Sequence, residues 1–131
     1  SNGFASAPQD PNLVESQLKI ITSPAVLKWV VVSENLDQDS EFIGSNNDNA
    51  SSDMRMGKAI AALVKKMAVK KSERTYVIDV ELSTSHPEKS AKIANAIAVA
   101  YIADQKESRI QANNRDIKAL TNKITQQITE Y

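Results

Sequence analysis

Few residues in this chain have types and spacing that lend themselves to chemistry. The sole histidine is His86, followed at once by Pro87. A metal site would need partners at defined spacing, and no such partners lie near it in sequence. Its position beside a proline suits a turn or a helix start better. Asp79 and Glu81 fall on one face of a predicted strand and could form an acid/base pair, although an ordinary solvated strand face has the same pattern. Trp29 beside Lys28 could hold a sugar ring by stacking, yet a tryptophan in an apolar helix more often serves core or interface. The glycines stand singly at positions 3, 44 and 57, so there is no phosphate-cradling loop. The chain has no cysteine, hence no thiolate chemistry, and the redox compartment stays open. We assign no catalytic, cofactor-binding or metal-binding residue, expect no cofactor, and expect no enzyme.

The elements that would position these residues follow from composition and period. The 131 residues suit one domain, and 41% hydrophobic content permits a real core. Aromatics make up only 5%, so that core must be aliphatic. Sixteen bases balance sixteen acids, which argues against a nucleic-acid partner bound through its phosphates. No apolar run approaches the ~20 residues of a membrane span. Ser1-Asn2 reads as the remnant of a cleaved tag, and the last residues continue a helical pattern with no cap. A piece of a larger protein is expected.

Residues 1–9 are small, polar and proline-containing, and read as a disordered lead. Asp10-Pro11 and Ser23-Pro24 each pair an N-cap residue with a proline suited to the first helical position. The first starts a helix carrying Val14, Leu18 and Ile21. The second carries Val26, Leu27, Val30 and Val31, although its valines also fit a strand. Residues 35–53 read as a loop around Gly44, Ser45, Asn46, Asn47, Asp48 and Asn49, pinned by Phe42 and Ile43. A third helix fits 53–66, with Met56, Ile60, Leu63 and Val64 on one side. Ile78, Val80 and Leu82 then alternate with Asp79, Glu81 and Ser83 as a half-buried strand, and 67–71 is a weaker strand paired to it as a hairpin. Ser85 and Glu88 have the spacing of a capping box for the last helix.

That helix spans 91–131 without glycine or proline, roughly 60 Å at 1.5 Å per residue. Its first half is slim and alanine-rich, with Ile93, Ile97 and Tyr101, and belongs to a globular base. Its second half is polar. Within it Ile110, Ile117 and Ile124 recur every seven residues as a coiled-coil-like seam. The fold expected is α+β: a small base of several helices and a β-hairpin over 10–105, and a long projecting C-terminal helix from 106 to 131, a truncated arm.

The charges are segregated. Residues 34–53 hold six acids and no base, whereas 55–74 hold seven bases and one acid. Solvated surface is the plain reading. The alternative is two complementary subunit faces, Asp37, Asp39 and Glu41 against Lys65, Lys66, Lys70 and Lys71.

Two blocks, "SPAVLKWVVVSENLDQDSEF" and "YVIDVELSTSHPEKSAKIANAIAVAYIADQ", resemble the chain-length-determinant domain of the polysaccharide co-polymerases, closest to the exopolysaccharide, succinoglycan-transport branch. The pattern is carried by Ser23, Val26, Leu36, Asp39, Glu41 and Phe42, then by Ser85, Pro87, Ala91, Asn95, Ala96, Ala98, Tyr101 and Ile102. It covers about 120 residues, and a family Asp before the proline is His86 here. The resemblance implies a periplasmic domain anchored in the bacterial inner membrane by two spans that this chain lacks. It implies an α/β base near the membrane and a projecting helix, and this chain would lack both the first strand the family places before "DPNLVESQ" and the returning half of that helix. Subunits of the family form rings that set polymer length with a polymerase and export machinery, and the polysaccharide itself is a further candidate partner. Many members carry a tyrosine kinase, of which no P-loop is seen. Ser85, Pro87, Asn95 and Tyr101 would be structural parts of that base. The expected function is non-enzymatic regulation of polysaccharide chain length and export. The rivals are a generic coiled-coil adaptor and a fragment of a carbohydrate-active enzyme.

Overall fold

The computed structural model describes the backbone of residues 2–8, 14–71 and 77–129, and the side chains of 18–70 and 77–123. In chain order these are strand β1 (Asn2–Pro8), helices α1 (Val14–Ile21) and α2 (Pro24–Ser33), a 3-10 turn (Leu36–Gln38), helices α3 (Ser40–Ile43) and α4 (Ser52–Lys66), strands β2 (Met67–Lys71) and β3 (Val77–Ser83), and helix α5 (Pro87–Thr129). The fold is α+β, mostly helical with an antiparallel sheet and a long C-terminal helix.

Local chemistry explains the helix starts. The Ser23 hydroxyl accepts from the Val26 amide at 3.4 Å, and Pro24 takes the first helical position. The valine run is therefore helical, since a capped start fixes its period and Val26, Leu27, Val30 and Val31 then share the core face. Ser51 caps α4 in the same way, accepting from Met54 at 3.1 Å, and Lys65 and Lys66 in its last turn suit the negative end of the helix dipole. Asp10-Pro11 and Tyr76 lie outside the described residues.

Three expectations need correction. Residues 2–8 are not a disordered lead, and a strand does precede Asp10: β1 pairs antiparallel with β3, from Asn2 opposite Ser83 to Pro8 opposite Val77. With β2 on its other side, β3 becomes the central strand, and β1 satisfies backbone groups that a two-stranded hairpin would leave unpaired. Residues 35–53 are also not all loop. Asp39 accepts from the Glu41 amide at 2.9 Å and starts α3, which Gly44 ends at φ +76. The third concerns Ser85, which does not cap α5. The His86 carbonyl accepts from the Ser90 amide at 3.1 Å, so His86 holds the cap position and Pro87 the first turn.

Residues 1–101 and 102–131 form two compact units. The first has one core. It joins Ile21, the buried face of α2, Leu36, Phe42, Ala59 and Leu63 to Ile78, Val80 and Leu82 of β3 and to Ile93, Ala94, Ile97, Ala100 and Tyr101 of α5. The alternation expected along β3 is observed, its even-numbered residues being buried. In the second unit Ile110, Ile117 and Leu120 are 53%, 62% and 60% exposed. The Ile124 side chain lies outside the described residues. Among the described residues no helix is long and apolar enough to cross a membrane.

Candidate functional site

The densest set of polar contacts gathers where α3, the end of α4 and the start of α5 converge. Its centre is Glu41, oriented by the cap that Asp39 gives to its own amide. One carboxylate oxygen, Oε1, accepts from Lys89 Nζ at 2.8 Å and from Ser85 Oγ at 2.9 Å. The other, Oε2, accepts from the Ser85 amide at 2.8 Å and faces Lys66 Nζ at 3.7 Å. Lys89 also reaches Asp39 Oδ2 at 2.6 Å. Both ammonium groups stand over the Phe42 ring, each 5.4 Å from its centroid, within cation–π range. Phe42 is only 4% exposed, so the ring closes the core beneath the charges.

The electrostatics follow from these contacts. The hydrogen bond from Lys89 lowers the pKa of Glu41 to about 2, with help from the Ser85 hydroxyl and amide and against a smaller opposing effect of burial. Burial works against a charge on Lys89, but Asp39 and Glu41 together outweigh it and raise its pKa above the ordinary 10.5. A carboxylate held this far below neutral pH is a poor general base and a poorer general acid. Beside it, His86 Nδ1 lies 2.9 Å from Ser85 Oγ. The order is carboxylate, hydroxyl, imidazole. Because the Ser85 proton is committed to Glu41, the hydroxyl accepts from His86, the reverse of what an activated nucleophile requires. The arrangement is a structural clasp.

A buried hydroxyl pair supports it from below. Ser90 Oγ accepts from the Thr84 amide at 3.1 Å and lies 2.7 Å from Thr84 Oγ1, which donates to the His86 carbonyl at 2.8 Å. This ties the end of β3 to the first turn of α5.

The clasp places several of the expected interface residues within one chain. Lys66 pairs with Glu41, Asp39 and Glu41 both pair with Lys89, and Lys70 bridges to Glu81 across β2 and β3 at 3.6 Å. Asp37 and Lys65 keep no ion pair among the described residues, and the Lys71 side chain lies outside them. Glu81, one of the two strand-face acids, has Lys70 as its ion-pair partner. Of the structural motif, Ser85 and Pro87 sit in the clasp and Tyr101 is buried, but Asn95 is exposed on α5 and supports no strand. The physical reason is helical phase: Ile93, Ala94, Ala96 and Ile97 take the core face, and Asn95 falls opposite.

Sequence reasoning missed Lys89, which lies outside the charge-rich stretches, and the Thr84–Ser90 pair. The only signal for Lys89 was its place three residues past His86, in the first turn of a helix. No group of His, Cys, Asp or Glu able to hold a metal occurs among the described residues. Comparison with protein-family models, curated proteins and solved structures finds no match.

Proposed function

We propose that this chain is the periplasmic assembly domain of an inner-membrane polysaccharide co-polymerase, a non-enzymatic regulator of exopolysaccharide chain length and export that works as a ring of identical subunits. One observation carries this reading. The two sequence blocks that bear the resemblance meet at one point: Glu41 and Phe42 of the first lie against Ser85 and the first turn of α5 from the second. The residues that carry the resemblance are thus parts of one physical unit. The polymerase and export machinery would be its partners, and spans outside this chain its membrane anchor.

A coiled-coil adaptor is the second reading, favoured by the exposed Ile110, Ile117 and Leu120. The full-length protein separates the two. Ile110→Ser with Ile117→Ser should reduce particle size in detergent and shift the length distribution of the polymer. Loss of association with unchanged polymer identifies an adaptor. A monomeric full-length protein whose deletion leaves polymer length unaltered overturns the assembly reading.

A further inference from the structure

Helix α2 carries a residue its core role does not explain. Val26, Leu27, Val30 and Val31 are at most 2% exposed, whereas Trp29, between them, is 43% exposed. Two shallow depressions of about 440 and 270 Å3 share Trp29 and Ser33 in their walls. The larger is completed by Ala25, Lys28 and Val32. The smaller runs from Glu34, at the end of α2, towards α5, where Lys92, Asn95 and Val99 face it.

We propose that this groove is a glycan-binding site, which takes one pyranose ring of an acidic oligosaccharide on the face of Trp29. Three features of the groove point there. A pyranose offers a flat C–H face bordered by hydroxyls, and so matches an aromatic plane with hydrogen-bonding groups at its edge. The edge here holds the Asn95 carboxamide, the Ser33 hydroxyl, which donates to the Val30 carbonyl and is left as an acceptor, and the Glu34–Lys92 pair, whose charged atoms are 3.7 Å apart. An apolar protein knob seated on Trp29 would strip water from the Asn95 carboxamide and the Glu34–Lys92 pair without replacing their hydrogen bonds, at a cost, whereas sugar hydroxyls satisfy them. Finally, Lys28 is exposed and has no ion pair among the described residues, leaving an ammonium beside the ring for a carboxylate on the glycan. The site stands on the groove itself and does not depend on the ring.

Trp29 is the only tryptophan, so its emission reports this site alone. The chain is titrated with a hyaluronan hexasaccharide, β-linked with a carboxylate on alternate rings, and with neutral cellohexaose. The expected result is a saturable change in emission with both, tighter for hyaluronan. Lys28→Ala or high salt should remove that difference. Asn95→Ala should weaken both by about tenfold. Trp29→Ala, followed by calorimetry, should abolish binding while the variant still melts cooperatively, its Tm lowered by a few degrees at most for the covered half of the side chain. No saturable response up to ~10 mM sugar, a range that detects even millimolar affinity, overturns the proposal, as does binding that survives in Trp29→Ala. An emission change driven by protein concentration alone assigns the groove to a second copy and overturns it too. Each of these failures leaves the particle-size and polymer-length test of the assembly reading untouched.

Discussion

Glu41 accepts hydrogen bonds from both the amide and the hydroxyl of Ser85, 44 residues further along the chain, at 2.8 and 2.9 Å. One side chain thus ties the short helix α3 to the turn that launches α5. Glu41→Gln keeps the shape but removes the charge that Lys89 and Ser85 bind. It should cost about 2 kcal/mol, the scale of charge-assisted hydrogen bonds, or a fall of roughly 8 °C in Tm. An unchanged melt would mean that the clasp carries no net stability.

The same carboxylate sets an acid limit. Its folded pKa of about 2 lies below the ordinary 4.5, so the fold favours the ionised form. The stabilisation is complete above about pH 4.5 and is lost as pH falls towards 2. Lys89 behaves oppositely, its contribution being full below the ordinary 10.5 and lost as pH rises through its raised value. Urea midpoints measured from pH 7 down to 2 should fall more steeply for the wild type than for Glu41→Gln. Parallel curves would show that other carboxylates set the acid limit.

Ser90 is fully buried, with its hydroxyl on Thr84. Ser90→Ala removes the acceptor for the Thr84 amide and should cost about 1–3 kcal/mol. Ser90→Thr, which keeps a hydroxyl, tests crowding instead, and denaturant unfolding of the pair separates the two effects.

Leu63 and Ile117 are both large aliphatic residues in helices, but their truncation should read out differently. Leu63 is fully buried, and Leu63→Ala should cost about 2–5 kcal/mol. Ile117 is exposed, and Ile117→Ser should leave stability within about 0.5 kcal/mol at low protein concentration. Its effect belongs to association, measured by sedimentation at rising concentration. An equal loss of stability in both variants would show that Ile117 is covered within the chain.

Asn95→Leu is expected to change stability by no more than about 0.5 kcal/mol, because the side chain lies opposite the core face of α5. A thermal melt lowered by several degrees would show that the carboxamide supports the sheet after all.

What could be read in advance was local and repetitive. Ser23-Pro24 announced α2, the alternation of Ile78, Val80 and Leu82 announced β3, and the seven-residue spacing of Ile110 and Ile117 announced an exposed stripe. These signals lie within a few residues of the structure they specify. What escaped depends on partners distant in sequence. The run from Asn2 to Pro8 has little strand propensity of its own, and its extended form is owed to the open side of β3. Lys89 gave no sign of joining Asp39 and Glu41, because nothing local records a meeting across 48 residues. Asn95 was misjudged because its helix phase was weighed less than its place in a motif.

The position of β1 bears on how the chain folds. The pairing of Asn2 with Ser83 closes a loop of about eighty residues, whereas β2 and β3 are separated by only a short connection. Loop-closure entropy and contact order therefore make the β2–β3 pairing the early event and β1 the late one. During synthesis the first strand leaves the ribosome with no partner and waits until most of the base has emerged. For that interval its unpaired backbone is open to pairing with a neighbouring copy.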